Sequence, residues 1–173
     1  MTTKKQSREK DLVKVVEIDA FISIVGENPI HYIPVIVCRL EDGRDFNLFS
    51  VPQDIVVAIR KIKGYKVEDD RETIYDILLS SPESIEAFGK HLKRVVIDSI
   101  NPLTYTYSAI AEFGADGALI RRKMVPSHAI LLALLSDKPI YVRKELVDEQ
   151  ERYNNELFPD LPDNIEDEED STE

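Results

Sequence analysis

The stretch Met124–Glu149, M-V-P-S-H-A-I-L-L-A-L-L-S-D-K-P-I-Y-V-R-K-E-L-V-D-E, decides how the chain must fold. Pro126 and Ser127 open it, and the run from Ala129 to Leu135 is apolar on every face. A helix of that kind belongs inside a domain rather than on its surface. It is also far too short to cross a bilayer, which takes about 20 apolar residues. Ser136-Asp137-Lys138 interrupts the run, Pro139 to Val142 reads as a short strand, and Arg143 to Glu149 reads as helix again. The expectation is a central buried helix feeding a strand, with the residues upstream supplying sheet and helices to cover it.

Working outward, Val13 to Val25 is rich in β-branched residues, and Val13, Val15, Glu17 and Asp19 share one face if the strand is straight. Gly26 to Pro29 is turn chemistry, and Tyr32 to Leu40 is a second, nearly all-apolar strand. Asp42-Gly43 marks a tight turn into a third strand at Asp45 to Phe49, which completes an antiparallel meander. A helix follows Ser50-Val51-Pro52, with Ile55, Ala58, Ile59 and Ile62 as its buried stripe and Gly64 as its stop. Arg71 to Leu79 repeats that pattern. Ser81-Pro82-Glu83 then starts another helix, as N-cap, first residue and dipole partner. Lys93 to Ile100, Leu103 to Phe113 and Ala118 to Met124 read as three more strands.

The 173 residues favour one domain, and 43% apolar content is enough for a core. The net charge of −11 is uneven: from Glu151 onward ten carboxylates face Arg152 alone, which accounts for nine of the eleven negative charges. Three regions follow: a basic arm over residues 1–11, a domain over 12–150, and an acidic tail over 151–173. Disorder is expected from about Asp160 on. The body lacks a dominating basic field, so tight nucleic-acid binding is not expected from composition, although a catalyst need not hold its substrate tightly. Lys4, Lys5, Arg8 and Lys10 offer only a weak phosphate contact. Cys38 is the single cysteine and sits in an apolar run, so it reads as a buried, inert thiol in a reducing compartment. No signal-peptide core and no membrane-length run is present, so a soluble, cytoplasmic protein is expected.

Metal-assisted chemistry needs converging carboxylates. Glu17, Asp19, Asp45, Asp76, Asp98 and Glu112 lie on strands or helix starts, and each alone reads more readily as a solvated or capping group. His31, His91 and His128 have no metal-ligand spacing. His128 follows Ser127 in the first turn of the buried helix, where backbone N–H groups can hold an anion. The plainer reading makes Ser127 an N-cap and His128 an exposed first-turn residue. Tyr105 and Tyr107 offer stacking faces for bases, or cross-strand packing. Glycine-rich phosphate loops are absent from the sequence.

Taken together, P-S-x-A-I-L-L-A-L, P-I-Y-V and E-L-V resemble the bifunctional nuclease (BFN) domain family, whose segment usually reads R-P-S-D-A, an apolar run, then P-I-Y/F-V. Pro126, Ser127, Ala129, Ile130 to Leu135 and Pro139 to Val142 carry the match. In order, Pro34 to Val37, Phe46 to Phe49 with Asp54 to Ile59, Arg71 to Leu79, Arg94 to Ile97 and Thr104 to Ala109 resemble other segments of that family. The resemblance spans about residues 13–150. Val125 replaces the family Arg, His128 the Asp and Tyr75 the His, and Gln53-Asp54 stands where a Glu is usual.

The resemblance implies cleavage of RNA or DNA, a homo-oligomer (most simply a dimer), and Mg²⁺ or Mn²⁺ as the metal. It points to Asp76 as a metal-binding or orienting carboxylate, Ser127 as an anion-binding group and His128 as acid/base or phosphate contact. The competing expectation is a non-catalytic oligomeric adaptor whose acidic tail recruits a basic partner. In either case the fold expected is α+β: a curved, mostly antiparallel or mixed sheet packed with helices.

Overall fold

The computed structural model describes residues 11–67, 71–115 and 117–157. All but the last residue of the basic arm read over 1–11, and the segment 158–173, which contains the disorder expected from about Asp160, lie outside them. In chain order the elements are β1 (Leu12–Val25), β2 (His31–Leu40), β3 (Asp45–Phe49), α1 (Gln53–Ile62), α2 (Ile74–Leu79), α3 (Pro82–Gly89), β4 (Leu92–Ile100), β5 (Tyr107–Ala115), β6 (Ala118–Met124), α4 (Pro126–Leu135), β7 (Ile140–Arg143) and α5 (Lys144–Leu157). The expected α+β fold is present: one seven-stranded mixed sheet, ordered β3-β2-β1-β7-β4-β5-β6, with packed helices.

The short strand read at Pro139 to Val142 is the seam of the molecule. β7 pairs antiparallel with β1 (Val13 opposite Val142) and parallel with β4 (Val96 opposite Tyr141). It joins the β1-β2-β3 meander to the β4-β5-β6 meander. Flanked on both sides, Ile140 and Val142 are buried. Helix α4, which feeds it, is buried at Pro126, Ser127, Ala129, Ile130, Leu131 and Ala133. It packs on β4, β5 and α1. Helix α1 buries Ile55, Val56, Ala58 and Ile59 against it and stops at Gly64, whose φ of +82° suits a residue without a side chain.

Strand β1 is not straight, and this corrects the expected face. Leu12 to Lys14 pair with β7, while the rest of the strand pairs with β2. A bulge between Val15 and Glu17 marks the change. An extra residue inverts the alternation beyond it. Val13 and Val15 face the core, Val16 is 62% exposed, and the buried positions resume at Ile18 and Ala20. The corner lets one strand serve both halves of the sheet. Its effect is visible where Phe46 of β3 meets Tyr107 of β5 edge-to-face at 5.2 Å between ring centroids. Five strand steps separate those two strands in the sheet order; if flat, they would lie about 24 Å apart. The sheet is therefore strongly curled around its helices.

The expected strand from Leu103 starts only at Tyr107. Asn101 to Thr106 form a loop closed by Asn101 N–H to Thr106 O (2.9 Å) and Tyr105 N–H to Asn101 O (2.8 Å). Asn101 Oδ1 also accepts the Leu103 N–H at 2.9 Å. Asx-turn chemistry prevails over the β propensity of Thr104 to Thr106. At the other end of the chain α5 continues to Leu157, so the first seven residues of the acidic segment are helical. Arg44 in the β2–β3 connection ties this helix down, donating from Nη1 to Asp148 Oδ1 (2.7 Å) and Glu151 Oε2 (3.1 Å).

Candidate functional site

Thr73 starts α2 because its backbone is extended and its side chain shares a capping box with Asp76. Asp76 Oδ2 accepts the Thr73 N–H at 2.6 Å and the Thr73 hydroxyl at 2.9 Å. Its Oδ1 accepts Lys61 Nζ at 2.8 Å, which ties α2 to α1. Both oxygens of Asp76 are thus engaged by the protein. The Lys61 ammonium, then the Thr73 N–H, hold its carboxyl below the usual carboxylate range.

Beside this junction lies a cleft of about 390 Å³ lined by Gln53, Asp54, Val57, Arg71, Glu72 and Thr73. Asp54 and Glu72 are exposed carboxylates on its walls. Asp54 Oδ1 accepts the Ile55 N–H at 3.0 Å in the first turn of α1. Tyr75 sits close by: burial, then the Asp54 charge, raises its hydroxyl above the usual range. So Asp54, at one position where this chain departs from the BFN pattern, lies within electrostatic reach of Tyr75, at another, although some twenty residues separate them in sequence. Neither Glu72 nor Arg71 was singled out as a site residue; the sequence reads Arg71 to Leu79 as one helix, whereas the helix starts only at Ile74, behind the Thr73 cap, which leaves Arg71 and Glu72 on the cleft wall.

The pair at the start of α4 divides between interior and solvent. Ser127 is 2% exposed, and its hydroxyl finds no hydrogen-bond partner among the described residues. It is not the N-cap, a place taken by Val125, with Pro126 as first helical residue. His128 is exposed. His31 opens β2 in solvent, and His91 Nδ1 lies 3.3 Å from Gly114 O. Tyr105 is 78% exposed in its loop while Tyr107 packs inward on Phe46, so the two tyrosines do not form one stacking surface.

The other sequence candidates are largely spent on ion pairs. Glu17 meets Lys63 (3.2 Å) and Arg39 (3.7 Å), and Asp98 meets Arg143. Buried Glu112 is clamped between Arg94 Nε (2.6 Å) and Arg121 Nε (3.0 Å). Cys38 is fully buried, and burial pushes its thiol up to about 12, as an inert cysteine requires. Among the described residues, no three His, Cys, Asp or Glu side chains converge as a metal site, and no helix is long and apolar enough to cross a membrane. No family model matches the sequence, and no curated protein matches it. The resemblance to the bifunctional nuclease family therefore rests on the order of its motifs.

Proposed function

We propose that this chain is a BFN-like protein that cleaves phosphodiester bonds in RNA or DNA, at the cleft between α1 and the start of α2. The observation that supports it is a cleft on which Gln53-Asp54, a substituted family position, faces Arg71 and Glu72 from some twenty residues further on, so that two exposed carboxylates and a guanidinium share one wall. A Mg²⁺ or Mn²⁺ ion would polarise the phosphoryl oxygen and activate water there. The chemistry of the two carboxylates suits such an ion. Hard cations of this class take oxygen ligands, and Mg²⁺ is usually held by one or two carboxylates together with substrate phosphates. Asp54 and Glu72 are the residues that would hold it. Arg71 brings a guanidinium, whose planar donors suit a phosphate. Asp76 acts as a positioning residue, because its oxygens already fix Thr73 and Lys61. His128, exposed at the start of α4, is not among the residues that line this cleft, and its role as acid/base or phosphate contact rests on the resemblance alone.

A Mn²⁺ titration followed by electron paramagnetic resonance, with a short single-stranded oligonucleotide present, tests the ligand assignment. The wild type should bind Mn²⁺, and Asp54→Asn with Glu72→Gln should weaken binding sharply. Equal binding by the double variant would remove both residues from the site.

The non-catalytic adaptor is the second reading. One observation favours it: the oxygens of Asp76 are both engaged within the domain, by Thr73 and Lys61, rather than open to a ligand. A homodimer presenting two acidic segments to a basic protein would follow from it. A pull-down with and without residues 158–173 should then lose its basic partners with the deletion; an unchanged set would contradict the reading.

A further inference from the structure

We propose that the acidic C-terminal segment, residues 158–173 of this same chain, docks along the open basic edge of the sheet at β6. The two edges of the sheet differ. At β3 the edge is closed by a helix side chain: the Asn47 N–H donates to Gln150 Oε1 at 2.7 Å, and Gln150 Nε2 donates back to Asn47 O at 2.9 Å. The amide of Gln150 stands in for a neighbouring strand. At β6 nothing comparable is present among the described residues. Its ladder runs to β5 alone, and every residue from Ala118 to Lys123 is exposed. A bare edge offers a row of backbone N–H and C=O groups to any extended chain.

Charge selects the occupant. β6 carries Arg121, Arg122 and Lys123 in succession. Arg121 is committed to Glu112, while Arg122 and Lys123 have no ion-pair partner among the described residues. Pairing two β6 strands through this run would set cation against cation, which disfavours a second copy as the occupant. Residues 158–173 hold eight carboxylates and no Lys or Arg. From Asn164 onward they also hold no proline, so nothing in that part prevents backbone pairing. Sixteen residues extend to about 53 Å, whereas a domain of this size has a radius of gyration of only about 15 Å. The inference is independent of whether the chain cleaves nucleic acid. Its consequence is that the basic edge is covered by default, and a competing polyanion or basic partner must displace the segment.

The test is paramagnetic broadening in the full chain. A nitroxide on Ser171→Cys can be attached selectively, because the native thiol of Cys38 is buried and held protonated. The expected result is loss of more than half of the amide intensity over Leu119 to Lys123, unchanged on dilution. The loss should be reversed by Arg122→Glu with Lys123→Glu, both exposed, and by 1 M salt, where the screening length falls to about 3 Å. Neutralising the segment instead, with Asp167→Asn, Glu168→Gln, Glu169→Gln and Asp170→Asn, leaves the folded domain untouched and should give the same reversal. Intact β6 intensities, broadening that survives both sets of substitutions, or broadening that fades on dilution (a second copy's segment) would each overturn the proposal.

Discussion

At the residue scale, Asp76 carries the clearest consequence. Replacing it with alanine removes the acceptor of the capping box and the partner of Lys61, with its side chain only 14% exposed. The expected loss is about 1–2 kcal/mol, read as a lower urea midpoint at unchanged slope. The pH dependence has a definite sign. The folded carboxyl titrates below its unfolded value of about 3.9, so its contribution is fully present above that value and is lost as pH falls through the lowered folded one. Stability of the alanine variant should therefore fall less steeply than that of the wild type below about pH 4. The sequence marked Asp76 through its place in a motif, and that much was legible. What it could not reveal is that Lys61, fifteen residues earlier, supplies the counter-charge, because that contact depends on how α1 and α2 pack. Glu72 was hidden for the same reason, and Asp54, marked only as part of a substituted motif position, could not be set opposite it: a cleft is made by two elements, and neither local sequence announces the other.

At the element scale, β7 and α5 carry the account. The short strand at Pro139 to Val142 was legible because Ile140, Tyr141 and Val142 are β-prone residues bounded by a proline; the structure buries Ile140 and Val142 and leaves Tyr141 and Arg143 half-buried on the other face. The β1 corner was not. A bulge adds one residue without a sequence mark as distinct as Asp-Gly, and straight alternation misplaces every side chain beyond it. The loop at Asn101 to Thr106 was misread in the opposite sense, since Thr-Tyr-Thr reads as strand until the Asn101 side chain captures the Leu103 N–H. The Gln150 clip on β3 gives a test specific to this scale. Gln150→Ala leaves the Asn47 N–H without its side-chain acceptor, and should cost about 1 kcal/mol and raise hydrogen exchange at Asn47 selectively. Unchanged protection at Asn47 would mean that the clip does not hold the edge.

At the scale of the whole molecule, one domain carries an acidic extension whose first turns are part of the fold. Arg44 joins the β2–β3 connection to Asp148 and Glu151, so the boundary of the folded unit lies beyond the residue 150 read from composition. Truncation after Leu157 should leave the thermal midpoint close to that of the full chain. Truncation after Gln150 removes Glu151 and two helical turns, and should lower it measurably; equal midpoints would place α5 outside the cooperative unit. Net charge revealed the extension at once, but could not show that its first seven residues belong to a helix anchored by Arg44, because that pairing depends on where Arg44 is brought.

We propose phosphodiester chemistry at the cleft between α1 and α2. Its most direct test is cleavage of labelled single-stranded RNA and DNA by the purified full chain, with Mg²⁺, with Mn²⁺ and with chelator, beside an identically purified Asp54→Asn/Glu72→Gln variant. The account predicts metal-dependent cleavage by the wild type that is lost in the double variant while the fold is retained. Absence of cleavage under every condition, or equal cleavage by both proteins, would contradict it and leave the fold to serve binding alone.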